Sequence, residues 1–338
     1  MLQFKNSTPF RGTILLVPDA EGVDSLYTIV KGTFTIGERV AVAEEQLPVT
    51  LADRYRGEPG RSSLAIPSEL GLAKPGTDVL LLGSAYSARG RPASQVGVTL
   101  NVGPIRKTIR VFGDRVWGST LLGARISEPR AFEKMPLIWE RAFGGIDETD
   151  GPSPQTHGED RNPVGTGFRD RNSRRKPDGV PLPNLEDPKQ LIALLTDRPT
   201  PSGFGPICPH WQPRRSFAGT YDETWLRERA PYLPEDFDSR FFQLAPSDQT
   251  VPGYLKGGEP IEIQGASPVA QLRFNLPIYR PQVIYRLDNQ AHVRSANLDT
   301  VLIEPDDSRL VMVWRAVFPC DKKALRIRET EAVLGSAA

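Results

Sequence analysis

The sequence predicts a mainly β protein, with antiparallel sheets or sandwich-like β regions at both ends and a proline- and glycine-rich middle carrying a few short helices. Three observations predict it. The 338 residues include 32 prolines and 30 glycines, and proline, which lacks an amide donor and clashes with the preceding turn, disfavours long uninterrupted helices. Runs rich in Val, Ile, Leu and Thr, bounded by Gly, Pro and Asp, recur from residue 10 to about 128 and again from about residue 240. Between them the text is irregular, and no repeat with a period of roughly 20 to 50 residues marks a solenoid or propeller. The chain therefore divides into an N-terminal β region (1–128), a loop-rich middle (129–239), a C-terminal β region (240–328) and a small, polar tail (329–338) expected to fray.

In the N-terminal region strands are expected over Thr13–Val17, Leu26–Ile36, Arg39–Val42, Asp78–Leu82, Val96–Val102 and Lys107–Val111. The run from Leu26 to Ile36 places Leu26, Thr28 and Val30 on one parity and Tyr27 and Ile29 on the other, so both faces are expected to be covered. Gly113-Asp114, set between Val111-Phe112 and Val116-Trp117, has the spacing of a hairpin turn. In the middle, Glu133–Phe143 can form a short helix with Pro136 in its first turn and Gly144-Gly145 as its stop. Asp187-Pro188 offers a cap and a first-turn proline to a second helix closed by Pro199. A third is expected from about Tyr221 to Arg229, capped by Asp222. Residues 146–186 read as a long surface excursion carrying the charge run Arg169 to Lys176. Beyond residue 240, strands are expected over Phe241–Leu244, Pro260–Gln264, Gln271–Leu276, Val283–Leu287, Ala291–Ser295, Thr300–Glu304 and Leu310–Phe318, with turns at Asp288-Asn289 and Pro305–Ser308.

Composition excludes several function classes. With 42 Lys plus Arg against 41 Asp plus Glu the formal net charge is +1, so no global field draws the chain to nucleic acid or to an anionic membrane. The N-terminus has no signal-peptide pattern, and no apolar run approaches the roughly 18–20 residues that span a bilayer. These features predict a cytoplasmic protein without membrane insertion. Cys208 and Cys320, the only cysteines, allow at most one bridge and no four-cysteine metal site.

Chemistry-bearing constellations are sparse. Cys208-Pro209-His210 offers a thiol and an imidazole but no third ligand and nothing to orient the imidazole, so an ordinary turn before Trp211 is the better reading. His157-Gly158-Glu159-Asp160 places a histidine beside two carboxylates, which reads first as an acidic turn pairing with the basic run. Phosphate-binding and nucleophile-elbow signatures are missing, and Gly165-Thr166-Gly167 is better explained as a loop. Arg171, Arg174, Arg175 and Lys176 form a dense basic cluster, and Arg214-Arg215 another, yet the charge balance argues against nucleic acid. No cofactor is indicated.

The string Trp139-Glu140-Arg141-Ala142-Phe143-Gly144-Gly145, followed by Arg161-Asn162-Pro163-Val164-Gly165-Thr166-Gly167-Phe168, by Gly203-Phe204-Gly205-Pro206 and by Trp211-Gln212-Pro213-Arg214, is similar to the bacterial domain-of-unknown-function family 2169. So are Ala218-Gly219-Thr220-Tyr221-Asp222-Glu223-Thr224-Trp225, Pro231 to Asp238 and Ala245-Pro246-Ser247-Asp248-Gln249. Order and spacing agree from about residue 10 to about 318. The resemblance implies a role in type VI secretion of Gram-negative bacteria. There the family acts as adaptor or chaperone, holding an effector that often bears a PAAR spike-tip domain for loading onto the spike protein. It implies no catalytic residues. Trp117, Trp139, Arg141, Phe168, Trp211, Arg214, Tyr221 and Trp225 are the candidate partner-binding residues, with burial in the core as the competing expectation for the tryptophans. For Arg141, Asn162, Tyr221, Asp222, Asp236 and Asp248, polar residues inside apolar motifs, hydrogen-bonded networks compete with partner contact. The alternative function is a hydrolase of cell-wall or carbohydrate material using carboxylates such as Glu159, Asp160, Asp222 and Asp236, which requires two of them facing across a cleft at about 5 to 10 Å.

Overall fold

Alternation of apolar residues along the strands is realised as two packed sheets and a smaller third one in the computed structural model, which describes residues 2–121, 123–147, 158–170, 173, 176–288 and 290–335. The largest sheet has seven strands, taken here as β2 (Arg11–Pro18), β3 (Asp24–Ile36), β4 (Val40–Val42), β5 (Gly76–Leu81), β9 (Thr250–Pro252), β14 (Asn297–Glu304) and β15 (Arg309–Pro319). Their order is β9-β5-β14-β15-β3-β2, with β4 attached to β3. All pairs are antiparallel except β5 with β14. The C-terminal strands β14 and β15 thus lie between the N-terminal strands β5 and β3, so the two β regions of the sequence build one sheet.

A five-stranded antiparallel sheet faces it, built from β6 (Gln95–Val102), β7 (Ile105–Phe112), β8 (Leu185–Glu186), β10 (Pro260–Gln264) and β11 (Gln271–Asn275) in the order β8-β7-β6-β10-β11. Period-2 side-chain direction explains the core between them. Val30 and Phe34 of β3, Val79 and Leu81 of β5, Val301 and Ile303 of β14, and Leu310, Met312 and Trp314 of β15 meet Val98, Leu100, Ile109, Val111, Ile261 and Ile263 from the opposing sheet. The third sheet combines β1 (Gln3–Asn6), β12 (Pro281–Leu287), β13 (Gln290–Ser295) and β16 (Ile327–Leu334) in the order β1-β16-β12-β13. It packs Val283, Tyr285 and Ile327 against Leu26, Ala316 and Phe318, with the Tyr285 and Phe318 rings stacked at 4.7 Å.

Five expectations are corrected. Residues 329–334 do not fray: they belong to β16, paired with β1 and β12, and Thr330 and Ala332 are fully buried. Glu133–Phe143 is not a helix. Met135, Leu137 and Trp139 are buried at alternate positions, Lys134–Pro136 pairs with Ser84–Tyr86, and only Trp139–Arg141 forms a short 3-10 turn. The segment after Asp187-Pro188 is not helical either, because carboxylates take its amides: Glu186 accepts from Ile192 N, and Asp197 from Ala193 N and Leu194 N. Gly113-Asp114 makes no hairpin, since Gly113 N donates to Ser94 O and Asp114 O accepts from Arg130 N, while Trp117–Thr120 pairs with Gly123–Ile126. Phe241–Leu244 is no strand, for Ser239–Phe242 is a 3-10 turn capped by Asp238.

The third expected helix is present as α1 (Glu223–Glu228), with Asp222 accepting from Trp225 N at 2.8 Å. Pro305–Asp307 turns β14 into β15 through a left-handed Ser308. Cys208 and Cys320 are both free and buried, and no helix among the described residues is long and apolar enough to cross a membrane. Asn289, His157, Arg171, Arg174 and Arg175 lie outside the described residues.

Candidate functional site

Glycine-rich motifs of the middle region converge on one buried amide. Asn162 is wholly buried, and its Nδ2 donates to Trp139 O at 2.8 Å and Phe143 O at 3.0 Å. Gly145 N and Gly165 N return bonds to Asn162 O. The surrounding glycines are required by close approach: a Cβ on Gly144 would stand 2.1 Å from Asn162 O, and one on Gly165 2.4 Å from Asn162 Nδ2. Trp139 packs edge-on against Trp211 with centroids 6.3 Å apart, and its Nε1 donates to Pro206 O at 3.0 Å. The Trp-Glu-Arg-Ala-Phe-Gly-Gly, Asn-Pro-Val-Gly and Gly-Phe-Gly-Pro strings are therefore parts of one internal knot.

This decides the fate of most candidate partner-binding residues. Trp117, Trp139, Trp211 and Arg214 are buried, at 5%, 4%, 0% and 7% exposure, and have no surface to offer a partner. Trp117 packs with Phe143, Leu182 and Ile192. Arg141 is half-buried and donates to Asn184 Oδ1, while Phe168 lies against Phe143 beneath Arg198. Tyr221 is exposed and Trp225 half-buried, and they touch edge to face at 4.7 Å.

These last two belong to an aromatic projection over residues 218–238. Tyr221 is 54% exposed, Leu226 66% and Tyr232 42%. The projection is stapled rather than loose: Trp225 Nε1 donates to Tyr232 O, Asp236 accepts from both Thr220 N and Thr220 Oγ1, and Arg229 donates to Leu233 O and to Ala20 O. Tyr232 stacks over Gly22, in the turn between β2 and β3. The projection thus stands at the end of β2, the outermost strand of the large sheet. Among the described residues no strand pairs with the far side of β2, and its sequence Thr13-Ile14-Leu15-Leu16-Val17 includes Leu16 at 42% exposure. Such an edge carries a row of free amides and carbonyls that another chain can pair with.

The carboxylates considered for hydrolysis are each held locally. Arg161 grips Glu159 with Nε at 2.6 Å and Nη2 at 2.7 Å, Arg215 pairs with Asp160, Asp222 caps α1, and the bonds from Thr220 pull the Asp236 carboxyl below its ordinary range. Burial raises the pKa of Glu69, Asp78 and Glu186, but each has a cation partner in Lys31, Lys74 and Arg115. Burial pushes the Cys208 thiol up to about 12, against the needs of a nucleophile. Burial, with Arg214 and Arg215 nearby, lowers the His210 pKa, and its Nε2 accepts from Trp211 Nε1 at 3.0 Å. Among the described residues no group of three or more His, Cys, Asp or Glu is placed to hold a metal.

Sequence reasoning missed the charged lining of the outer face of the large sheet. Lys31–Glu69, Lys74–Asp78 and Asp299–Arg315 are buried pairs at 2.7 to 2.8 Å. The available signal was a charge at a core parity of an apolar strand: Lys31 within β3, Asp299 within β14 and Arg315 within β15.

No curated protein and no solved structure matches the chain. A family model described as an uncharacterized protein conserved in bacteria (DUF2169) matches residues 21–315, which take in most of the sandwich apart from β2, the buried knot around Asn162 and the aromatic projection. The chain belongs to that family.

Proposed function

We propose that the protein is a non-catalytic cytoplasmic adaptor that binds a type VI secretion effector, one bearing a PAAR domain, and assists its loading onto the spike. The observation that carries this reading is the stapled aromatic projection standing beside an unpaired apolar edge strand. An extended effector segment added to β2 gains main-chain hydrogen bonds, and Tyr221, Leu226 and Tyr232 supply apolar anchors at its end. Because both elements are fixed before binding, little ordering entropy opposes association. The local pairing of Glu159, Asp160, Asp222 and Asp236 weighs against the carbohydrate hydrolase, which needs one protonated and one ionised carboxyl across a cleft.

The test is secretion in cells of the protein's own source with the gene deleted, combined with mass spectrometry of what the tagged protein captures. The proposal expects one effector to vanish from the secreted fraction and the same effector to co-purify. Unchanged secretion together with no secretion component in the captured material would sink it.

A further inference from the structure

The outer face of the large sheet holds a cavity that the adaptor reading does not use. Leu80 of β5, Leu302 of β14, and Val311 and Val313 of β15 form its floor; the arm from Ile66 to Leu72 and the turn from Phe241 to Leu244 wall it. Its volume is about 270 Å³. An apolar cavity of roughly 150 Å³ accepts a benzene ring, so this one has room for an apolar chain of about eight carbons.

Charge around the cavity is paired at Lys31–Glu69, Lys74–Asp78 and Asp299–Arg315, whereas Arg214 and Asp53 form no ion pair among the described residues. Arg315 is satisfied by Asp299 Oδ2, Gly71 O and Glu69 O, and Lys74 by Asp78 Oδ2 and Thr300 Oγ1. Glu69 is paired with Lys31 and accepts from Thr50 N. Arg214, which also lines the cavity, is 7% exposed and reaches only carbonyls: Nε donates to Phe241 O at 2.9 Å and Nη1 to Ile207 O at 2.5 Å. Its Nη2 has no acceptor, and no carboxylate lies within ion-pair distance of it, among the described residues. Asp53, which lines the same cavity, accepts from Ser68 N through Oδ1 at 2.7 Å. Asp53 and Asp78 act on the guanidinium through space without forming an ion pair with it, and an anion reaching Nη2 adds the charge-assisted hydrogen bond that the carbonyls do not supply.

We propose that this cavity binds a small amphipathic monocarboxylate, a medium-chain fatty acid, with its chain on the leucine and valine floor and its carboxylate on Arg214. The ligand would be a second input, separate from the effector surface at β2.

Calorimetric titration of the full-length protein with octanoate, and in parallel with 1-octanol and a short peptide ending in a free C-terminal leucine, tests this. Octanoate is expected to saturate at one site. Arg214→Gln should weaken octanoate at least about 10-fold, the scale of a lost charge-assisted hydrogen bond, and leave octanol unchanged. Asp53→Asn keeps the acceptor for Ser68 while removing a negative charge, and should tighten octanoate several-fold; a misfolded variant cannot mimic that gain. The proposal is overturned by the absence of saturable octanoate binding, by an Asp53→Asn variant that binds no tighter, or by a folded Arg214→Gln variant matching the wild type. Binding of the peptide but not of octanoate likewise overturns it.

Discussion

Asn162→Ala is the sharpest test of the conclusion that the family's motif residues are an internal knot rather than a contact surface. The side chain spends both amide hydrogens on main-chain acceptors, Trp139 O and Phe143 O. Trp139 O also accepts from Ala142 N, so its loss is partial, on the order of 1 kcal/mol; a buried acceptor left bare at Phe143 costs roughly 1–3 kcal/mol. Against this, Asn162 Oδ1 is itself buried without a partner, and deleting it returns part of the cost. The net expectation is a destabilisation of about 2–3 kcal/mol. Asn162→Asp, of the same shape, turns the two donors into acceptors facing carbonyls and should cost more than the alanine. Urea unfolding followed by tryptophan fluorescence reads both, since Trp139 and Trp211 adjoin the site. A loss below about 0.5 kcal/mol for the alanine, or wild-type stability for the aspartate, refutes the structural reading.

Asp299→Ala should cost roughly 3–5 kcal/mol in the same assay, because it leaves Arg315 buried at 5% exposure without its carboxylate. For His210, the folded pKa lies below the ordinary value of about 6.5, so the unfolded chain takes up the proton first as pH falls. Stability should therefore decline as pH drops through about 6.5, with a shallow slope because His210 is exposed; Arg214 and Arg215 face the ring as cations and Asp53 as an anion. His210→Gln should flatten that part of a stability-versus-pH curve, and an identical curve refutes the assignment. Tyr221→Ala, at a side chain 54% exposed, should change stability by no more than about 0.5 kcal/mol in thermal unfolding while weakening effector capture.

How much of this was legible from the sequence depended on whether the determining interaction is local. The alternation in β3 and the long apolar run of β15 are local signals, and both strands appear within two residues of their expected bounds. That β14 and β15 insert between β5 and β3 is not local: nothing in the residues near position 79 announces a partner near position 301. The failed helix after Asp187 shows a different limit, since Glu186 and Asp197 compete for amides that a helix would pair internally. The tail reads as fraying because Thr330 and Ala332 are small and weakly apolar, while their burial comes from β16 pairing between β1 and β12, both distant in sequence. Tyr221 and Trp225 are among the candidate residues, yet the sequence does not separate them from Trp139 and Trp211, which are buried by contacts distant in sequence, Gly203 closing on the Trp139 ring.

The central claim is that one surface, β2 with the aromatic projection beside it, holds the effector. The most direct measurement is capture from source cells by the wild type and by a Leu16→Lys/Tyr221→Ala variant whose melting temperature is unchanged. The account predicts that the wild type brings down an effector bearing a PAAR domain and the variant does not. Equal recovery of that effector by both proteins would contradict it.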